Sequence, residues 1–305
     1  MRIANSMLYR QVLDALQQQT RGQFEAQQAI SSGLRFERAG EDPVAMAGVL
    51  RQQDANARLA AYASNAVVVE SRLRQSELGL DALNDTLQAA RETLLRAQSD
   101  ALNSADRATL AAELRSAAAE VAAIANRQSE DGRPLYGGST PQALFTGAAG
   151  AWVLNPPSAP ARVAVAEGRQ LDLGLDARGL FTTPGGSDLP TALEAMADQV
   201  ALAPADAPGR AARAAALDAA IGELDGGLER VSAGRSRVGL DLATLDGLAD
   251  SREAQRIAGE QELSRLRDAD LAAEISRLAQ HSASLEAARA VFQRLESQSL
   301  FNYLR

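Results

Sequence analysis

The sequence predicts a mainly α-helical protein of long antiparallel helices, with its N- and C-terminal helices paired as a coiled coil and a small β-containing insert in the middle. Three observations predict it. First, the 305 residues are 46% hydrophobic but only 4% aromatic. Alanine and leucine, both strong helix formers, dominate the apolar residues; with Glu, Gln and Arg between them they favour long helices with thin cores. Second, apolar residues recur in alternating steps of four and three along two long stretches, the seam of a helix that packs along another. Third, the stretch between them, about 132–189, loses that periodicity and is rich in Gly, Pro and Thr.

Near the amino end Leu13, Leu16, Thr20 and Phe24 fall three and four residues apart, one apolar stripe of a helix. Ser31-Ser32-Gly33 interrupts it, and Asp42 before Pro43 has the form of an N-cap followed by proline in the first helical turn. The clearest seam follows: Val69, Leu73, Ser76, Leu80, Leu83, Leu87, Ala90 and Leu94. It predicts a helix over 66–102, about 55 Å long at about 1.5 Å per residue. Asn103-Ser104-Ala105-Asp106 is a break, after which Leu110, Leu114, Val121 and Ile124 resume the pattern.

In the middle, Trp152-Val153-Leu154, 162–165 and 170–173 are short apolar runs bounded by turn residues and are expected as strands. Residues 192–202 and 211–222 are expected as short helical pieces, with Pro204 and Pro208 between them. Leu224, Leu228, Val231, Val238, Leu242 and Leu245 form a second seam, suited to pair with the first inside one subunit. At the carboxyl end Leu271, Leu278, Leu285 and Phe292 fall seven apart, flanked by Ile275 and Leu295. The two terminal stripes are narrow and would be marginal alone in water. Each must be buried against the other or against neighbouring subunits.

Several functions are disfavoured. A net charge of −8 and a pI near 4.9 leave no basic stripe for a nucleic-acid backbone, and charges of mixed sign leave no polybasic membrane patch. No cysteine is present, which excludes disulfides and thiolate chemistry. No run of 18 apolar residues offers a membrane span. The first 19 residues have neither a continuous apolar core nor a small-residue cleavage site, so no cleaved secretory signal is expected; export would need another route.

The only histidine, His281, has no second His or Cys to make a metal site and is expected as a seam or surface residue. Asp268, Asp270 and Glu274 suit a helix start, where acids favour the positive dipole end. The glycine pairs at 137–138 and 185–186 cannot form a P-loop in a chain without lysine. The dinucleotide fingerprint and the G-x-S-x-G elbow are absent as well. No catalytic residue, cofactor or metal is expected.

Two segments together resemble flagellin-like axial proteins. ISSGLRFERAGEDPVA (30–45) is similar to the family's serine-glycine turn, basic residue and acidic-proline helix start; RDADLAAEIS (267–276) is similar to the acidic step before its last helix. DGRPLYGGS (131–139), RSRVGLDLATLD (235–246) and the ending SLFNYLR (299–305) resemble the members of that family found at the hook–filament junction. The resemblance covers roughly 1–139 and 224–305, with Phe36 standing where an aliphatic residue is more usual. It implies a division into a terminal coiled coil (1–40 and 268–305), a helical rod (41–133 and 208–267) and a variable outer part (134–207).

It also implies a structural subunit, not an enzyme, joining the hook side to the flagellin filament outside the cell, exported unfolded without cleavage. The partners implied are other copies of the chain, a hook-side junction protein, flagellin and an export chaperone. Assembly is expected to rest on the terminal stripes: Leu13, Leu16 and Phe24 at one end, and Leu271, Ile275, Leu278, Leu285, Phe292, Leu295, Phe301 and Tyr303 at the other. A minor flagellin that polymerises by itself is the main alternative. A helical signalling module fits less well, because the β-like insert occupies the place of an uninterrupted hairpin tip.

Overall fold

The computed structural model describes residues 2–129, 132–148, 150–204 and 206–303; the side chains of residues 2–6, 8, 9 and 295–303 lie outside that description. The elements run α1 (Arg2–Ser32), α2 (Pro43–Ala97), α3 (Ser104–Ala125), β1 (Phe145–Thr146), β2 (Val153–Leu154), β3 (Arg162–Ala166), β4 (Arg169–Asp172), α4 (Ala177–Leu180), α5 (Leu189–Ala201), α6 (Ala207–Arg267) and α7 (Leu271–Tyr303). They form two compact units, one of Met1–Arg58 with Ala254–Arg305 and one of Leu59–Glu253. The mainly helical class with a small strand-bearing insert is as the sequence predicts.

In the 59–253 unit, α2 and α6 lie antiparallel. Ion pairs join Asp81 to Arg235 at 2.8 Å and Arg91 to Asp225 at 2.6 Å, and Gln98 donates to Asp218 at 2.6 Å. Each step forward on α2 is matched by an equal step back on α6. Between these polar edges the first seam is buried along its whole length, Val69 to Leu94, and Leu224, Val231, Val238 and Leu245 are buried opposite it. α3 begins with a capping box, in which Asn103 accepts from the Asp106 N–H and Asp106 accepts from the Asn103 N–H. It packs on α5, where Arg115 reaches Asp198 at 2.7 Å and Glu194 at 3.6 Å.

The insert consists of two antiparallel two-stranded sheets, β1–β2 and β3–β4. Its buried Leu144, Phe145, Val165 and Phe181 join the same core as α2, α3 and α6. Four of the chain's eleven aromatic residues lie in it: Tyr136, Phe145, Trp152 and Phe181. Phe181 meets Tyr136 and Phe145 edge-on, with ring centroids 5.3 and 6.2 Å apart. The buried Tyr136 hydroxyl donates to the Ser76 carbonyl on α2 at 3.1 Å. Burial pushes its pKa well above the usual phenol range.

Two elements differ from the sequence expectation. α2 starts at Pro43, as the Asp42-Pro43 cap predicts, but runs unbroken from there into the seam and ends at Ala97, where the seam suggests a helix confined to 66–102. Residues 47–65 are good helix formers without a heptad, so periodicity alone misses them. The 211–222 segment is not a separate piece but part of the 61-residue α6. Asp206 caps that helix by accepting from the Gly209 N–H, and Pro208 sits in its first turn, where no backbone N–H is needed.

Candidate assembly surface

The 1–58 and 254–305 unit is built on a joint at which the two resembling motifs meet. α1 ends at Gly33, whose φ of +69° is the left-handed conformation that glycine adopts freely and whose N–H caps the Ala29 carbonyl at 2.9 Å. A two-residue antiparallel bridge then pairs Leu34 with Asp268. In it the Arg35 N–H donates to the Arg267 carbonyl at 2.8 Å, and the Ala269 N–H to the Gly33 carbonyl at 2.9 Å. Asp42 caps α2 by accepting from the Ala45 N–H at 2.9 Å and holds Arg35 at 3.2 Å. Asp270 caps α7, accepting from the N–H groups of Ala272 and Ala273, each at 3.1 Å. These acids are helix caps, and among the described residues no group of three or more His, Asp or Glu is placed to hold a metal ion.

Phe36 is buried at this joint with Ala45 and Val49; Met46, Leu263 and Leu266 pack on that cluster, and the Arg35 guanidinium lies 5.5 Å from the ring centroid. Sequence reasoning passed over Phe36 as a minor departure. Its signal, one large aromatic next to a turn in a chain poor in aromatics, was present.

Beyond the joint α1 and α7 pair with each other. Ala26 and Leu285 are buried between them, and Leu16, Leu278 and Phe292 are half-buried. The middle of the contact is polar: His281 Nδ1 donates to Gln19 Oε1 at 2.7 Å, and Gln23 Nε2 donates to Ser282 Oγ at 3.4 Å. The remaining stripe residues point outward. Phe24 is 67% exposed, Ile275 56%, Leu271 48% and Leu13 38%. Of the residues expected to carry assembly, Leu16, Leu278, Leu285 and Phe292 therefore face the partner helix, and Leu13, Phe24, Leu271 and Ile275 face away. Those at Leu295, Phe301 and Tyr303 have side chains outside the described residues, on backbone that is helical to Tyr303.

Elsewhere, a cleft of about 490 Å³ in the 59–253 unit is lined by Asp172, Asp176, Arg230, Arg237 and Asp241 among others. Its charges are spent within the fold: Arg237 pairs with Asp241 at 3.0 Å and reaches Asp172 at 3.9 Å, Arg230 donates to the Thr182 carbonyl, and Asp176 caps α4 by accepting from the Arg178 N–H at 3.0 Å. Among the described residues no helix is long and apolar enough to cross a membrane.

Comparison with known proteins adds a family and a fold. Residues 3–140 match the bacterial flagellin N-terminal helical region, and residues 221–304 the bacterial flagellin C-terminal helical region. Together they span nearly three quarters of the chain. The chain is similar to flagellar hook-associated protein 3 of Escherichia coli (strain K12), at 26% identity over 317 residues that cover 99% of each protein. Among solved structures it resembles the flagellar junction protein FlgL of Legionella pneumophila, with a TM-score of 0.61, 14% identity, and 72% of this chain and 100% of that one covered. It resembles Xanthomonas campestris FlgL too, with a TM-score of 0.63, 15% identity, and coverages of 70% and 99%. At such identities the structural likeness shows the fold alone.

Proposed function

Because this chain belongs to the bacterial flagellin family, carrying both its N-terminal and its C-terminal helical regions, we propose that it is a structural adapter of the flagellum that joins the hook side to the flagellin filament. The observation that carries the proposal is the split of the terminal stripes. α1 and α7 satisfy each other through one face and leave Leu13, Phe24, Leu271 and Ile275 in water. Large apolar side chains repeated along a helix pair are costly there, and burial against neighbouring subunits returns about 1.5–3 kcal/mol for each. The end-to-end similarity to a hook-associated protein 3, not only to flagellin, favours the junction over the filament.

In this reading no bond is made or broken. Residues 1–40 and 268–305 are the axial segments, 41–133 and 208–267 the helical rod, and 134–207 the outward-facing elaboration. The partners are further copies of the chain, a hook-side junction protein and flagellin, with an export chaperone guarding the carboxyl-terminal stripe beforehand. The chain leaves the cell through the flagellar export apparatus without cleavage. Removing 301–305 is expected to weaken assembly while residues 59–253 stay folded.

The flagellin regions equally suit a second reading, a minor filament subunit. Incubating the purified chain with flagellin filament seeds separates the two. A short terminal layer supports the adapter; growth of long filaments from this chain alone overturns it.

A further inference from the structure

The long helices α2 and α6 are packed very unevenly along their length. From Val69 to Leu94 on α2, and from Leu224 to Leu245 on α6, they close on a core of buried leucine and valine. From 51 to 65 on α2 no residue is buried, and from 246 to 262 on α6 only Gly259 is. The contact at that glycine is polar. A Cβ there would come 2.5 Å from both Asn56 Oδ1 and Gln52 Nε2, so these two side chains lie against bare helix backbone. Helical stretches with so little buried apolar surface open locally at low cost. Opening that began there would run along α2 and α6 into the core unless something stopped it.

The stop is a piece of the insert. The register set by Asp81 with Arg235 and Arg91 with Asp225 brings Asn65 of α2 level with Arg252 of α6, at the last rung before the core. Asn65 Nδ2 donates to the Ala164 carbonyl at 2.8 Å, and Arg252 Nη1 donates to the Val165 carbonyl at 3.1 Å. The two acceptors are consecutive residues of β3. The register of β3 with β4 slips between Ala164 and Ala166, which frees Val165 from the ladder and leaves its carbonyl for the helix. The Val165 side chain is buried in the core, so the strand is anchored as well as bridged. At the open end of the hairpin Asp172 pairs with Arg162 at 3.2 Å and lies 3.9 Å from Arg237 of α6.

We propose that the β3–β4 hairpin is a strap across α2 and α6. Asn65 and Arg252 hold both helices to one strand, and local opening of the polar stretch ends at that rung instead of entering the core. Parting the helices there breaks two side-chain bonds to backbone carbonyls and pulls on a buried valine, a cost that the stretch from 51 to 64 does not carry. The strap gives the middle insert a task within its own chain. It rests on packing alone and holds whether the chain joins hook to filament or extends a filament.

Hydrogen exchange on the full-length protein reads this segment by segment. In the unaltered chain exchange should be fast over 51–64 and 253–262 and at least about tenfold slower over 66–97, with the step at the strap. The double variant Asn65→Ala/Arg252→Ala removes both donors from half-buried positions. Gly168→Val leaves them in place and strains the hairpin turn instead, because Gly168 has a φ of +66° with open space around it. Each should speed exchange over 66–73 and 242–251 about tenfold, equivalent to about 1.4 kcal/mol, and leave 76–97 and 217–238 unchanged. A rise confined to those segments in both variants supports the strap. No step in the unaltered chain, no rise in one or both variants, or a rise spread over all of 59–253 overturns it.

Discussion

Replacing Phe24 by serine separates folding from assembly. The ring presents roughly 200 Å² of side-chain surface, of which 67% is exposed in the isolated chain. That leaves about 130 Å² for a neighbour to cover. At about 25 cal/mol per Å² the contact supplies about 3 kcal/mol, or roughly a hundredfold in the dissociation constant. Because the ring makes so little contact within its own chain, the same substitution should change unfolding by no more than about 0.5 kcal/mol. Two measurements on the same preparations check this. Urea unfolding followed by helical circular dichroism reads the chain alone, and co-sedimentation with flagellin filament seeds over a range of concentrations reads binding. The expected result is an unchanged unfolding midpoint with binding displaced to about hundredfold higher concentration. Equal binding by both proteins, or a lowered midpoint with binding intact, would refute the reasoning.

Other predictions follow from the fold. At Gly79 a Cβ would collide with the Tyr136 hydroxyl, so Gly79→Ala should cost about 1–3 kcal/mol by overpacking, less about 1 kcal/mol of improved helix propensity. In a Tyr136→Phe background, which itself loses a hydrogen bond worth about 1 kcal/mol, the same change should be near neutral; equal costs in both backgrounds, read from urea midpoints, would contradict the packing described. Asn103→Ala removes the capping box of α3 and should destabilise the 59–253 unit by about 1 kcal/mol in the same assay. Leu285→Ala empties a buried site between α1 and α7. Hydrogen exchange should then rise along both terminal helices and stay unchanged over 59–253.

The strongest seam was legible residue by residue: all eight positions from Val69 to Leu94 are buried, because a dense heptad of leucines admits one orientation. The Asp42-Pro43 start, the break at Asn103 and three of the four strands were legible for the same kind of local reason. α1 was legible as a helix but not in its phase. Its inward face joins Val12, Ala26 and Ile30 to Leu16 while Leu13 and Phe24 are exposed, and the contact of His281 with Gln19, 262 residues away, leaves no trace in the local pattern. The Tyr136–Ser76 link was hidden likewise, since a contact between residues 60 apart leaves no periodic trace. Pro208 misled in the opposite direction: proline reads as a break, but in a first turn it costs nothing.

The central claim is that filament cannot be joined to hook without this chain. Removing its gene from the source cells and imaging the flagella, while assaying the culture medium for flagellin, tests that directly. The account predicts complete hooks without filaments and flagellin released unattached into the medium. Filaments of normal length on the hooks of those cells would contradict it.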